Sequence, residues 1–330
     1  MSRRRDSAFT LVELMVVTAV LGVILVYVFG TMVTTQKKAV ALTDTVDTQQ
    51  AARQIADLIE RDIRHTAMMI DDAAALCGLD RTDAPDSLYV TDWEVVTLGE
   101  DLDASLAATV TGATDLPSSA SYFVVDRLML EIDSPSGSFD ADGDGTMDSD
   151  FSTTGQVIFA DANNPERGTA CGSITGVLPP NQLRFDLEAG GLAALGTGSE
   201  TPRIIAVPAI RYQIDAGQTL SRGAYPLAEN IEDIQFAWFI DDDEDNAIDS
   251  GEYRGDGTGG VYTAQGLDAS RLREIRLNVV LRTEDDEPGT STGNPIATEN
   301  RSVTATQDGF RRRVYTSVVR LRNLGRRVEL

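Results

Sequence analysis

The sequence predicts an α+β protein in which one long N-terminal helix packs against an antiparallel β-sheet. A mostly apolar run occupies residues 9–33, and residues 34–69 continue it without a glycine or a proline. Residues 70–330, which we call the head, consist of short strand-like runs separated by Gly, Pro, Asp and Ser clusters. A helix with one apolar face must bury that face, so we expect the outer half of the helix to lie on the sheet.

The apolar run from Phe9 to Val33 predicts a helix that crosses a membrane once. Its 25 residues would extend about 37 Å, which exceeds the hydrocarbon core of a bilayer at roughly 30 Å. Three arginines, Arg3, Arg4 and Arg5, precede the run. Because basic residues beside a span stay on the cytoplasmic side, the chain beyond the span is expected outside the cytoplasm.

Residues 34–69 predict an amphipathic continuation of the same helix. Apolar side chains recur at roughly helical spacing, and charged residues fill the positions between them. The helix is therefore predicted to run unbroken from residue 9 to residue 66. The predicted apolar stripe consists of Val40, Val46, Ile55, Leu58, Ile59 and Ile63.

Seven segments of the head predict the strands of the sheet. In one of them, apolar residues from Ile275 to Leu281 occupy every second position, which indicates a sheet with one buried face. The predicted strands are Ser121–Ile132, Gln156–Ala160, Gln182–Leu187, Ile204–Ile214, Ile231–Ile240, Arg273–Arg282 and Arg313–Leu321.

The composition excludes several classes of function. The chain has 28 basic and 52 acidic residues and a formal net charge of -24, so a generic nucleic-acid-binding surface is not expected. One histidine and two cysteines rule out zinc fingers and histidine-based metalloproteases. The histidine, His65, is predicted to be a surface or packing residue. The sequence contains no glycine-rich phosphate loop and no nucleophile elbow, so we predict no enzymatic activity.

The two cysteines, Cys77 and Cys171, predict a disulfide. They follow the membrane span and are therefore expected in an oxidising space, where an even number of cysteines usually pairs. The bond would tie the region after the helix to the middle of the head. The alternative is two separate buried thiols.

Residues 241–252 match the spacing of a twelve-residue calcium loop. Oxygen-bearing side chains occupy positions one, three, five and nine, and a glutamate stands at position twelve. Asn246 replaces the usual glycine at the sharp turn, and asparagine tolerates a left-handed backbone. No helix is predicted on either side, and the alternative is a solvated acidic turn. The predicted calcium ligands are Asp241, Asp243, Asp245, Ala247, Asp249 and Glu252.

Residues 140–151 match the same pattern less completely. Position twelve is Phe151, so the closing carboxylate is missing unless Asp150 or a distant residue supplies it. Calcium bound in these loops would lock the head at extracellular concentrations, where weak sites of roughly 10⁻⁴–10⁻³ M suffice. The candidate ligands of this second loop are Asp140, Asp142, Asp144, Thr146 and Asp148.

Glu13 is the one charged residue inside the apolar run, and a charge at the centre of a span costs roughly 2.5 kcal/mol or more. The surrounding segment, Ala8-Phe9-Thr10-Leu11-Val12-Glu13-Leu14, resembles the processing site of type IV prepilins and type II secretion pseudopilins. That family usually has glycine where this chain has Ala8. The resemblance implies that residues 1–8 are a cytoplasmic leader and that a prepilin peptidase cuts between Ala8 and Phe9. It also implies N-methylation of the new amino terminus.

The same resemblance implies a role for Glu13 in assembly. After cleavage, the amine of Phe9 is positively charged, and Glu13 of a neighbouring subunit would pair with it inside an apolar bundle. The pair would set the axial register of the subunit in a filament. Residues 9–33 would then serve first as the membrane helix and later as the filament core.

Two further segments resemble PilW-type minor pilins. Residues 311–324 resemble their closing strand, and residues 227–235 resemble the segment that leads into their central strand. The resemblance implies a type IV pilin fold and a minor pilin that serves fimbrial assembly and twitching motility. The protein would wait in the inner membrane with its head in the periplasm, prime the pilus, and lie at or near its tip on the cell surface. The implied partners are the prepilin peptidase, the inner-membrane assembly platform, membrane lipid, and other minor and major pilins.

Two other functions stay open from the sequence alone. The first is a J-type pseudopilin of a type II secretion system, and the second is an adhesin or DNA-binding subunit that uses a pilin anchor. Residues 301–330 hold eight arginines and two acidic residues, a net charge of +6. This basic end could dock another subunit or DNA. Pairing with acidic residues of a neighbouring strand explains it more simply, so nucleic acid is not expected as a partner.

Overall fold

One helix, α1, runs from Leu11 to His65. The chain divides into two compact units, Met1–Thr48 and Gln49–Leu330, and α1 contributes to both. The computed structural model describes residues 10–67, 70–92, 108–109, 123–124, 151–178, 182–243, 245, 247, 249, 251–283, 295–303, 308–321 and 324.

In the first unit, α1 is apolar and exposed to its surroundings. Leu11–Val40 is long enough to cross a membrane, and its most apolar stretch of 18 residues has a mean hydropathy of 2.6. Gly22 and Gly30 lie within the helix without interrupting it, although each lowers helix propensity by roughly 1 kcal/mol relative to alanine. The predicted helix over residues 9–66 is therefore present wherever its residues are described, apart from one or two at each end.

In the second unit, the last turns of α1 bury an apolar stripe. The spacing of three or four residues places its members on one face of the helix. Ile55, Ile59 and Ile63 of the predicted stripe are confirmed, Leu58 is only partly buried, and Val40 and Val46 are exposed in the first unit. The buried members, each at most 6% exposed, are Ala52, Ile55, Ala56, Ile59 and Ile63.

Ten strands form a first antiparallel sheet in the second unit. They are β1 (Leu76–Leu79), β2 (Ser87–Thr91), β3 (Ala108–Thr109), β4 (Phe123–Val124), β5 (Gln156–Asp161), β6 (Thr169–Leu178), β7 (Gln182–Gly190), β8 (Ile204–Ile214), β9 (Leu220–Arg222) and β10 (Tyr225–Ala228). The main path is β1-β2-β8-β5-β6-β7-β4. In addition, β3 and β9 pair with β8, and β10 pairs with β9.

The other four strands form a second antiparallel sheet, whereas the sequence analysis predicted a single one. They are β11 (Ile231–Ile240), β12 (Tyr253–Arg254), β13 (Leu272–Arg282) and β14 (Arg312–Arg320), in the order β12-β11-β13-β14. Asn230, with a φ of 61°, turns the chain between β10 and β11. Its carbonyl accepts the N–H of Arg282 at 3.0 Å. The turn therefore directs β11 to β13 and away from the first sheet.

Six of the seven predicted strands are present with ends shifted by three residues or fewer. β8 and β11 begin and end at the predicted residues. In the remaining segment, Ser121–Ile132, only Phe123 and Val124 are described, and they form β4. The other residues of that segment lie outside the described part of the chain.

The first sheet curls so strongly that β1 returns to β6. The main path places these strands four positions apart, which corresponds to about 19 Å in a flat sheet. Cys77 in β1 and Cys171 in β6 nevertheless form a disulfide, with Cα atoms 6.2 Å apart. The hydroxyl of Tyr89 in β2 likewise donates to the carboxylate of Glu188 in β7. The predicted disulfide is confirmed, and it closes the curled sheet covalently.

Two hydrophobic clusters lie on opposite faces of the first sheet. Side chains alternate along each strand, so Ile158 and Ala160 of β5 belong to one cluster while Val157 and Phe159 belong to the other. The first cluster also contains the buried stripe of α1 and residues of the second sheet. It is therefore the core that joins the end of the helix to both sheets.

Two buried carboxylates, Glu60 and Asp62, fix the end of α1 to both sheets. Asp62 is 0% exposed, and its Oδ2 accepts the Tyr212 hydroxyl at 2.6 Å and Arg222 Nε at 2.7 Å. Tyr212 lies in β8 and Arg222 in β9 of the first sheet. Glu60 accepts the hydroxyl of Ser317 in β14 of the second sheet. Within one turn of the helix, Asp62 is therefore bonded to the first sheet and Glu60 to the second.

Asp62→Ala should lower the free energy of unfolding by about 3–5 kcal/mol, because the Arg222 guanidinium and the Tyr212 hydroxyl lose their buried partner. Chemical denaturation of the full chain in detergent measures the loss. Asp57→Ala removes the same charge from an exposed position of the same helix, and it should change the value by less than about 0.5 kcal/mol. Equal losses in the two variants would contradict the anchoring role of Asp62.

Two further carboxylates, Asp86 and Asp233, are buried where their charged forms are disfavoured. Desolvation raises the pKa of Asp86 to about 8, although main-chain N–H groups of Arg81 and Phe236 bond to its oxygens and oppose the rise. Desolvation also raises the pKa of Asp233 to about 6, against a hydrogen bond from the Gln235 amide. Burial therefore favours the protonated, neutral form of each carboxyl group in the folded protein.

The protein should therefore lose stability as the pH rises from about 4 to about 8, with a slope of up to roughly 1.4 kcal/mol per pH unit from Asp86. A raised folded-state pKa gives full stability below the unfolded value of 3.8, and this stability is lost as the pH passes the folded pKa. Denaturation over this pH range measures the slope. Asp86→Asn should flatten it, whereas Asp83→Asn, at a nearby exposed position, should not. An undiminished slope in Asp86→Asn would refute this assignment.

Candidate functional site

Thr10 and Glu13 form a reciprocal capping box at the start of α1. Glu13 Oε2 accepts the main-chain N–H of Thr10 at 3.1 Å and its hydroxyl at 3.2 Å, and the Glu13 N–H donates to Thr10 Oγ1 at 3.3 Å. The box satisfies two main-chain donors at the helix start. This role of Thr10 was not predicted from the sequence, although the Thr-x-x-Glu spacing is a recognisable signal for it.

Glu13 keeps part of its carboxylate available after capping the helix. The side-chain hydrogen bonds found for it use Oε2, and Oε1 has no partner among the described residues. The helix start itself favours a negative charge, because its free N–H groups point towards it. Residues 1–9 lie outside the described part of the chain, and the predicted cleavage point between Ala8 and Phe9 lies among them.

The surface of the membrane-length part of α1 is almost entirely apolar. Its large hydrophobic side chains up to Val33 are 45–74% exposed. Threonine hydroxyls along it donate to main-chain carbonyls three or four residues earlier, at 2.8–3.0 Å, and so are satisfied within the helix. Such a surface is suited to lipid or to the apolar helices of other proteins. The threonines concerned are Thr18, Thr31, Thr34 and Thr35.

The loop 241–252 joins β11 to β12 at the edge of the second sheet. Carboxylate oxygens of Asp241, Asp243 and Glu252 lie within 4.8 Å of one another, and so do those of Asp243, Asp245 and Asp249. Asp243 belongs to both groups. The structure therefore brings the five carboxylates that were predicted as cation ligands in this loop into two overlapping groups.

Asp241 and Glu252 form the buried side of this cluster, at 0% and 8% exposed. Glu252 accepts the main-chain N–H groups of Asp242 at 3.0 Å and Asp249 at 2.9 Å, which holds the two ends of the loop together. Asp241 Oδ2 accepts Arg273 Nε at 3.0 Å. The other oxygen of Asp241, Oδ1, is buried and has no hydrogen-bond partner in the described structure.

The exposed side of the cluster concentrates negative charge. The N–H of Asp245 donates to Asp243 Oδ1 at 3.2 Å, and the N–H of Ala247 donates to Asp245 Oδ1 at 2.6 Å. The first of these bonds lowers the pKa of Asp243, but desolvation and repulsion from Asp245, Glu252 and Asp241 outweigh it. The net pKa of Asp243 is therefore raised. A cation would relieve this repulsion.

The second acidic loop stays a prediction. Residues 140–150 lie outside the described part of the chain, and with them the candidate ligands from Asp140 to Asp148. Phe151, at the position where a calcium loop needs a carboxylate, is 2% exposed and belongs to the second hydrophobic cluster. Its side chain therefore anchors the end of this segment in the core.

The basic C-terminal region pairs with acidic neighbours where it is described. Arg312 is buried and contacts Asp308 at 2.6 Å, and it also contacts Glu232. Arg320 in β14 contacts Glu274, directly opposite in β13, at 3.2 Å. Pairing with an acidic residue of the adjacent strand, the simplest explanation of these arginines, therefore holds for Arg320, whereas Arg312 is buried and pairs with Asp308 and with a residue of β11, two strands away.

His65 closes α1 and bonds to its own helix. Its Nδ1 lies 2.6 Å from the Arg61 carbonyl. This contact agrees with the prediction of a packing or surface residue.

Comparison with known families locates two matching regions. Residues 3–29, which include Thr10 and Glu13, match the prokaryotic N-terminal methylation motif. Residues 195–323, which include the strands from β8 to β14, match the family described as type IV pilus-assembly protein W. No curated protein sequence matches the chain. A type IV-like pilin from Thermus thermophilus is a similar solved structure, 11% identical with a TM-score of 0.24, and the match covers 52% of this chain and 86% of that chain.

A methylation motif at the start of a long exposed apolar helix, followed by an antiparallel β head, defines a type IV pilin-like protein. The match over residues 195–323 then supports a PilW-type minor pilin as the particular family. The resemblance drawn from residues 227–235 and 311–324 is thereby confirmed.

Thr10→Ala should destabilise the first turn of α1 by about 0.5–2 kcal/mol, because the helix loses its N-cap. Amide hydrogen exchange of residues 11–14 in detergent micelles measures this loss. Glu13→Gln should leave exchange nearly unchanged, because glutamine also fills its position in a capping box. Thr18→Ala is the control, since its hydroxyl bonds farther along the helix. Unchanged exchange in Thr10→Ala would show that the box does not hold the helix start.

Proposed function

We propose that this protein primes assembly of a type IV pilus and lies at or near the tip of the pilus. The observation that carries the proposal is the position of Glu13. It is a carboxylate in the capping box of a helix whose apolar surface is otherwise exposed. Such a helix needs other apolar helices or lipid around it, and such a carboxylate needs a positive partner there.

In this proposal, a prepilin peptidase cuts the chain between Ala8 and Phe9 on the cytoplasmic side and methylates the new terminus. The match of residues 3–29 to a methylation motif supports this step. Cleavage would place a charged amine on Phe9, one residue before Thr10. The Thr10 N–H is already bonded to Glu13 Oε2, so Oε1 is the oxygen left for a second partner.

That second partner would be the Phe9 amine of a neighbouring subunit. At a separation of 4 Å, opposite charges attract by about 1 kcal/mol in water and by about 4 kcal/mol at an effective dielectric constant near 20. The attraction is therefore stronger inside a bundle of apolar helices than it would be in water. Displacement of a subunit by one helical turn, about 5.4 Å, would lose it. The pair would thus select one axial register among similar apolar contacts.

Before assembly, the apolar helix would hold the protein in the inner membrane, with the head in the periplasm. Assembly would exchange lipid around Leu11–Val33 for the helices of other minor and major pilins on the inner-membrane platform. The size of the head, with its two sheets, supports a low-copy position at the tip, because a bulky head packs poorly along a uniform shaft. The role is architectural, and the peptidase and the motor are separate proteins.

A strain that lacks this gene should assemble few surface pili and lose twitching motility, and the wild-type gene should restore both. Glu13→Gln should fail to restore them, because it keeps the capping box but loses the negative charge. Electron microscopy of surface pili and the width of the twitching zone measure the outcome. Immunoblots of the membrane fraction check that each variant is inserted at equal levels.

The control variant is Asp57→Asn, which removes one charge from an exposed position of α1 and should restore piliation as the wild type does. Mass spectrometry of the processed protein should find Phe9 at its amino terminus. Normal piliation of the deletion strain would refute the priming role. Full rescue by Glu13→Gln would refute the charge pair while leaving the priming role intact.

A further inference from the structure

We infer that the loop 241–252 binds one calcium ion, and that this ion clamps the hairpin between β11 and β12. This site is separate from the N-terminal segment that carries the proposed assembly function.

The buried oxygen Asp241 Oδ1, which lacks a hydrogen-bond donor in the described structure, indicates a missing ligand. Asp241 is fully buried, and Oδ1 has no hydrogen-bond donor in the described structure, while Oδ2 is bonded to Arg273. A buried charged oxygen without a partner is strongly unfavourable. The same carboxylate lies in one group with Asp243 and Glu252. A cation in that group would supply the missing contact.

The spacing of the oxygens fits the size of calcium. Calcium–oxygen distances are about 2.3–2.6 Å, so oxygens on opposite sides of one ion lie about 4.6–5.2 Å apart. In both groups of three carboxylates, the oxygens lie within 4.8 Å of one another. Each group is therefore compact enough to surround one ion, and Asp243, common to both, marks where the ion would lie.

The number of available oxygens also fits calcium, which takes six to eight of them. Glu252 offers two oxygens, and although each accepts one main-chain N–H, a carboxylate oxygen has a further lone pair. The main-chain carbonyl of Ala247 stands at the seventh position of the loop. Single oxygens would come from Asp241, Asp243, Asp245 and Asp249.

The donor set selects calcium over other common cations. The loop contains no histidine and no cysteine, so zinc, copper and other metals that prefer nitrogen or sulfur are disfavoured. Magnesium requires a near-ideal octahedron and keeps several waters, whereas an irregular shell rich in carboxylates suits the larger ion.

A bound ion would stabilise an edge that is otherwise weakly held. β12 has only two residues, and it pairs with β11 through Trp238 opposite Arg254 and Phe239 opposite Tyr253. Asp241 directly follows β11 and Glu252 directly precedes β12, so an ion between them would tie the two strands at their ends. Extracellular modules bind calcium at roughly 10⁻⁴–10⁻³ M. The clamp would therefore close outside the cytoplasm, where calcium reaches such concentrations.

The test uses the full chain purified in detergent and stripped of metal with EDTA. Calorimetric titration with calcium chloride should give about one ion per chain with a Kd of roughly 10⁻⁴–10⁻³ M. At ten times the Kd, the midpoint of thermal unfolding should rise by about 2–3 °C. Magnesium at the same concentration should give a clearly smaller shift.

Matched variants separate a specific site from general charge effects. Asp243→Asn and Asp249→Asn should weaken calcium binding at least tenfold. Asp242→Asn removes the same charge from the same loop, but Asp242 contacts Arg254 instead of the cluster, so it should bind calcium as the wild type does. In EDTA, Asp243→Asn should melt no lower than the wild type, because repulsion within the cluster falls. Its midpoint of thermal unfolding should fall below that of the wild type only when calcium is added.

Three results would overturn the inference. The first is no heat of binding and no shift in the midpoint at about ten times the upper expected Kd. The second is equal weakening by Asp242→Asn and Asp243→Asn, which would indicate a diffuse cloud of counterions. The third is an equal shift with magnesium, which would indicate general screening. None of these results bears on pilus assembly, which is tested through Glu13.

Discussion

The contact of the last helical turn with both sheets is the constraint on which the rest of the head depends. Burial of apolar side chains such as Ile59 and Ile63 stabilises the helix on the sheets, but these contacts tolerate small shifts and rotations of the helix. The buried carboxylates of Glu60 and Asp62 tolerate none, because each needs donors at fixed places. Together they select one position of the helix end against both sheets.

Local patterns predicted the helix and most of the long strands, because apolar spacing reports directly which face of an element is buried. The strands that escaped prediction lack such a pattern. β6 contains Gly172 and Gly176 among small residues, and β1 contains Gly78, where a Cβ would lie 2.5 Å from the Trp238 ring. The division of the strands into two sheets was also not predicted, because strand order depends on contacts between distant parts of the chain.

Residue types and spacing were sufficient to predict the disulfide, and they grouped the acidic ligands of the loop 241–252 correctly. They could not show that Phe151, the last residue of the second acidic loop, packs in a hydrophobic cluster, because this contact exists only in the folded chain. Nor could they predict that Asp241 Oδ1 is buried without a hydrogen-bond donor in the described structure, because this depends on packing at the end of β11. The other oxygen of the same carboxylate, Oδ2, accepts a hydrogen bond from Arg273 of β13. The capping box of Thr10 and Glu13, in contrast, was local and could have been found.

The bond between Cys77 and Cys171 has a consequence for the resistance of the head to proteolysis. It joins residues 94 positions apart and makes one covalent ring of the chain from β1 to β6. A protease that nicks the ring once leaves both fragments attached, and the antiparallel pairs of β5 with β6 and β8 can still hold them in place. Release of any piece of the ring would require a second nick, so the head tolerates damage that would dismantle an uncrosslinked sheet.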